Sequence, residues 1–143
     1  MPTTLERLAR IQRIVRDDAR GAFASAQGVQ QAHDDALRAC EDHLEQSRLT
    51  TYQDADDLLR RHAYTLRQEM QRRNLEARSE PLKAWVEQRR ASLLDAARRF
   101  ETTERYVDRL NEVVADDRQR RSQRQLDEAG QQVWLRQQTL ENR

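Results

Sequence analysis

Glycine and proline are almost missing from this chain of 143 residues, which holds 3 Gly and 2 Pro. Folds with many tight turns draw on both residues, so α/β folds, barrels and sandwiches are excluded. Aromatic residues make up 5% and hydrophobic residues 36% of the chain, against 36% charged. A compact domain carries roughly 45–50% apolar residues, so a round core is not expected. One Cys allows no intrachain disulfide. No apolar run approaches the roughly 20 residues of a membrane span, and the first residues read without an apolar signal segment, so a cytoplasmic location is the expectation. Charge of one sign is also lacking: 26 Lys+Arg against 25 Asp+Glu give a net charge of +1. The two signs are interspersed, which argues against a nucleic-acid clamp or a polybasic membrane anchor.

What remains is an excess of Arg, Ala, Gln, Glu, Asp and Leu, most of them good helix formers. The expected fold class is all-α. A helix start is written at Thr3, a capping residue with Glu6 three positions later as its capping-box partner. A 3-4 spacing then runs through Leu5, Leu8, Gln12, Val15, Ala19, Ala22, Ala26, Val29, His33, Ala36, Cys40 and His43. Such persistence predicts a coiled-coil seam, and its small residues imply close approach of a partner helix. The phase slips between Ser47 and Thr51 and resumes as Tyr52, Ala55, Leu59, His62, Leu66 and Met70. With no Gly or Pro there, a stutter in a continuous helix is the expectation.

The break is expected at Asn74–Pro81, where Ser79 offers a cap and Pro81 suits the first turn of a new helix. A second 3-4 register follows through Leu82, Val86, Arg89, Leu93, Ala96, Phe100, Thr103, Val107, Leu110 and Val114, with a weaker stripe at Leu126, Ala129, Val133 and Leu140. The sequence therefore predicts one long antiparallel two-helix coiled-coil hairpin, with arm one at about 4–73, a tip at about 74–81 and arm two at about 81–139. Arms of that length extend roughly 90–105 Å. Folding about that tip sets Val29, Ala26 and Ala22 opposite Leu126, Ala129 and Val133, and leaves Leu5, Leu8, Ile11 and Ile14 uncovered at the open end, a candidate partner site.

Catalytic chemistry finds little support. His33, Cys40 and His43 share a seam, but zinc wants four ligands and two helices offer no fourth, so they read as seam residues. Asp17/Asp18, Asp34/Asp35 and Asp116/Asp117 lack a water-excluding pocket and read as solvated helix faces. Gly21, Gly28 and Gly130 are isolated, so no phosphate loop exists. No enzyme, cofactor or metal is expected. The arginines from Arg118 to Arg124 are flanked by carboxylates and read mainly as a solvated face. Trp85 and Trp134 divide between packing over a seam edge and binding, since Trp is enriched in binding hot spots.

Three segments carry a family resemblance: Arg7–Arg16 (RLARIQRIVR), Pro81–Trp85 (PLKAW) and Gln125–Glu128 (QLDE). In order, spacing and total length the chain resembles the small coiled-coil stalk proteins of bacterial type III secretion, the FliJ/YscO/SctO family. Its start and its Leu-x-x-Trp element look closer to the injectisome branch than to the flagellar one. The Ala- and Arg-rich composition departs from the family's more Lys-, Glu- and Gln-rich members. The resemblance implies a non-enzymatic central stalk, comparable to the rotary-ATPase gamma subunit. It would dock in a hexameric secretion ATPase and couple it to the export gate in the inner membrane and to export chaperones.

The ATPase contacts so implied are Leu5, Leu8, Ile11, Ile14, Val15, Leu126, Val133 and Trp134. The gate contacts are Leu75, Arg78, Leu82 and Trp85, placed at the tip. A monomer in isolation, without nucleic acid or membrane insertion, is expected. A structural homodimeric coiled coil or adaptor with no ATPase partner is the alternative. A helical chaperone fits less well, since chaperones offer a wider groove.

Overall fold

The computed structural model describes residues 3–141 and contains two helices, α1 (Thr4–Leu49) and α2 (Ala55–Glu141), with no strand among the described residues. The fold is all-α, a helical hairpin whose two long helices pack against each other. The capping box forms as the sequence predicts. Glu6 Oε2 accepts from the Thr3 N–H at 2.6 Å, and Thr3 Oγ1 accepts from the Glu6 N–H at 3.2 Å.

The chain reverses at Thr50–Asp54, which corrects both the expected stutter at Ser47–Thr51 and the expected tip at 74–81. Side chains terminate the helices here in place of Gly or Pro. The Ser47 hydroxyl donates to the His43 carbonyl at 2.8 Å and Thr50 to the Gln46 carbonyl at 2.7 Å, which satisfies carbonyls near the end of α1. Asp54 caps α2, its Oδ1 accepting from the Asp57 N–H at 2.7 Å, and Asp57 Oδ2 accepts from the Gln53 N–H at 3.2 Å. Asp56 and Asp57 also place negative charge at the positive end of α2. Arg61 ties the turn down: its Nε donates to Asp57 Oδ1 at 3.0 Å, and its guanidinium lies 5.9 Å from the Tyr52 ring centroid. The Arg61 hydrogen bond, with help from the Gln53 N–H, holds the Asp57 carboxyl below its ordinary value.

Residues 74–81 are helical, and Pro81 lies inside α2. An interior proline removes one helix hydrogen bond and costs about 3 kcal/mol. The deprived carbonyl is that of Ala77, and Ala77 and Pro81 are both exposed, so water can satisfy it. Ser79 is mid-helix instead of capping, its hydroxyl donating back to the Leu75 carbonyl at 3.4 Å. The helices are consequently unequal, 46 residues in α1 and 87 in α2, where arms of comparable length were expected.

The turn resets the pairing of the helices. His33 meets Leu75 and His43 meets Tyr64, their ring centroids 6.5 Å apart, so the expected pairing of Val29, Ala26 and Ala22 with Leu126, Ala129 and Val133 is replaced. The chain divides into two compact units. One, Gln12–Arg98, holds the hairpin, with Ala26, Cys40, Leu44, Val86 and Ala96 buried. The other comprises residues 1–11 and 99–143. There Phe100 and Thr103 are buried, Leu5 and Val107 are half-buried, and every described residue from Asp108 to Glu141 is exposed.

The predicted second register holds from Leu82 to Val107 except at Arg89, which is exposed along with Leu110 and Val114. On α1, Ala19, Ala22, Ala26, His33, Ala36 and Cys40 are covered, while Leu8, Val15, Val29 and His43 are exposed and Leu44 supplies the core position expected of His43. The predicted stripe from Tyr52 to Met70 faces solvent. The covered positions of α2 nearest the turn are polar: Asp57, Arg61, Thr65, Gln68 and Arg72. Gln68 Oε1 and Arg72 Nε are buried there without a hydrogen-bond partner, so this stretch contributes less than the Ala/Leu/Val-lined part.

Candidate partner-binding groove

Within the hairpin unit, α1 and α2 border an open groove of about 580 Å³ lined by Val29, Ala32, His33, Leu75, Arg78, Pro81, Leu82 and Trp85. All four residues expected at the gate-facing tip, Leu75, Arg78, Leu82 and Trp85, come together here. They line the flank of the hairpin, and the tip itself lies at the distant turn.

Helical spacing explains the grouping. Leu75, Arg78, Leu82 and Trp85 recur at three- and four-residue intervals and share one face of α2. On α1, Val29, Ala32 and His33 supply the facing wall, where the short side chains of Val29 and Ala32 keep it low. Val29 stands 49% exposed in it. Trp85 is half-buried against α2, and the Arg89 guanidinium lies 5.8 Å from its ring centroid. That contact holds a cation at the groove margin.

The groove floor is pinned by His33. Its Nε2 lies 2.8 Å from the Leu75 carbonyl oxygen and its Nδ1 lies 3.4 Å from Asp34 Oδ1. The first is the bond of a donating Nε2–H, so His33 clamps α1 to α2 beside Pro81. Of the three residues weighed as a metal set, His33 is half-buried, Cys40 is buried and His43 is exposed. No group of three or more His, Cys, Asp or Glu among the described residues has the arrangement of a metal site.

The expected ATPase contacts lie elsewhere. Leu5 is half-buried, while Leu8, Ile11, Ile14 and Val15 on α1 and Leu126, Val133 and Trp134 on α2 are all exposed. Sequence reasoning missed that Val29, Ala32 and His33 join the Trp85 face. The signal was the three-residue step from Val29 to Ala32 beside the seam residue His33.

Among the described residues no helix is long and apolar enough to cross a membrane. The chain matches no family model, no curated protein and no solved structure.

Proposed function

We propose that the chain is a non-enzymatic central stalk of a bacterial type III secretion system, which docks in the secretion ATPase hexamer and couples it to the export gate and export chaperones. The observation that carries this reading is the amount of large apolar surface left open. Leu8 and Ile11 on α1 and Leu126, Val133 and Trp134 on α2 are each between 42% and 65% exposed. Open apolar side chains recurring along helices suit docking into a ring or groove built of helices. The segments Arg7–Arg16, Pro81–Trp85 and Gln125–Glu128 support the family assignment by their order and spacing.

Under this reading the apolar residues of the first turns of α1 and the last third of α2 enter the ATPase. The Trp85 groove is a separate surface, assigned to the gate or to chaperones. The test is co-purification with a candidate secretion ATPase and measurement of its hydrolysis rate. The wild-type chain should bind and change that rate. The double variant Leu8→Asp/Ile11→Asp should lose binding at least tenfold with its helical circular dichroism unchanged. Failure of the wild-type chain to bind, together with a dimer mass in sedimentation, would instead establish the homodimeric structural reading.

A further inference from the structure

We infer that the Trp85 groove is the seat of a third helix, an amphipathic helix of a partner protein whose small apolar face is edged with carboxylates. The inference rests on the partner-binding reading above and names the chemistry of the partner at one of its two surfaces.

The shape argues for a helix. Both walls follow helical spacing, Val29, Ala32 and His33 on α1 and Leu75, Arg78, Leu82 and Trp85 on α2. Ridges of that spacing accept the ridges of another helix. From Leu75 to Trp85 the wall of α2 spans ~15 Å, which matches about three turns of a docked helix. No strand is present among the described residues to offer an edge to an extended peptide.

Charge argues for the partner's acidity. Over this stretch of α2, three cations off the groove are answered on their own helix, Arg72 by Glu76 at 3.6 Å, Lys83 by Glu80 at 3.1 Å and Arg90 by Glu87 at 3.7 Å, while Arg73 forms no ion pair among the described residues. Arg78, which lines the groove, and Arg89, which leans over Trp85, form no ion pair among the described residues. Two acids of α1 beside the groove are already engaged. Asp34 lies against His33, and Asp35 accepts from Gln31 at 2.9 Å and faces Arg38 at 3.9 Å. The groove thus joins an apolar floor to two arginines and contributes no acid of its own. A carboxylate arriving on a partner helix would find guanidinium forks at both ends of the Trp85 wall. A basic helix would meet repulsion from both.

The experiment follows Trp85 fluorescence in the full chain carrying Trp134→Phe, which leaves Trp85 as the reporter. Three peptides of about 21 residues, none with a tryptophan, are titrated: a designed helix with an Ala/Leu face edged by Glu, the same helix edged by Lys, and residues 121–141 of this chain carrying Trp134→Phe. The Glu-edged peptide should quench or shift the emission and bind at least tenfold tighter than the Lys-edged one. Arg78→Glu, an exposed substitution, should invert that preference. Arg73→Glu, on the same helix but outside the groove lining, should leave the preference in place.

Equal affinity for the two designed peptides, no binding of either, or a preference untouched by Arg78→Glu would overturn the inference. Tightest binding by residues 121–141 would also overturn it, in favour of a second copy of the chain as the occupant. Circular dichroism of each variant checks that the hairpin is intact. Because none of the arms contains a secretion ATPase, failure here leaves the ATPase test standing, and failure of that test leaves this result standing.

Discussion

Two stretches of α2 meet opposite fates. From Leu82 to Phe100 the apolar positions Val86, Ala96 and Phe100 are at most 7% exposed, whereas from Asp108 to Glu141 no described residue is even half-buried. The second stretch is nevertheless rich in side chains able to pack: Leu110, Val113, Val114, Leu126, Val133, Trp134, Leu135 and Leu140. Both cover and composition separate them: the first stretch is the richer in apolar residues and is packed, while the apolar residues of the second stand open. The first stretch derives its stability from tertiary contact. The second relies on helix propensity and on pairs such as Asp117 with Arg121 at 2.7 Å and Gln123 with Asp127 at 3.2 Å, worth a few tenths of a kcal/mol each.

The comparison breaks or holds on matched truncations. Leu44→Ala, at a position 5% exposed, should cost about 2–5 kcal/mol in urea unfolding. Leu126→Ala, at 65% exposed, should fall within about 0.5 kcal/mol of wild type. Equal costs would mean that the second stretch is covered after all.

The next largest effect concerns Pro81, the irregularity inside the covered stretch. Pro81→Ala restores an N–H to the Ala77 carbonyl and should stabilise the hairpin by about 1–3 kcal/mol in the same assay. A loss of stability would show that the proline ring contributes more by packing than its missing donor costs.

The turn offers two smaller tests. Asp54→Ala removes the cap of α2 and should cost about 1 kcal/mol, read as a lowered urea midpoint with unchanged slope. Asp57 tests the same turn by pH. Its folded carboxyl titrates below its ordinary value of 3.8, chiefly because of Arg61, so the contribution is complete above 3.8 and is lost as pH falls through the lower folded value. Asp57→Asn should abolish that component of acid sensitivity, and about 1 M salt should shrink it. An acid profile identical in the variant would show that the exposed pair contributes nothing measurable.

Helix content, the Thr3 cap and the stripe from Leu82 to Val107 were legible because each has a local signature. The reversal was not. Pro81 carries the usual mark of a break, yet it sits at an exposed helical position where its freed carbonyl can be hydrated. Thr50–Asp54 carries no Gly or Pro and stops both helices with hydroxyl and carboxylate hydrogen bonds. Once the turn was misplaced, the pairing failed with it. The register near the turn was hidden because the covered side chains there, Arg61, Gln68 and Arg72 among them, are polar while the apolar Leu59, Leu66 and Met70 face solvent. The candidate site fared differently. Leu75, Arg78, Leu82 and Trp85 were grouped because all four lay near the expected tip; what brings them together is the three- and four-residue spacing of an unbroken α2, which the expected break at 74–81 had hidden.

The bare last third of α2 has a consequence for hydrogen exchange and for binding kinetics. A helix with no tertiary cover opens to coil and reforms on a timescale of about a microsecond, so its amides should exchange with solvent far faster than those around Leu44 and Val86. Whatever docks along Leu126, Val133 and Trp134 therefore closes on a segment still exchanging between helix and coil, and part of its binding free energy is spent holding those turns shut. Amide protection across residues 108–141 would then rise on binding, turning the least protected part of the chain into a direct reporter of occupancy.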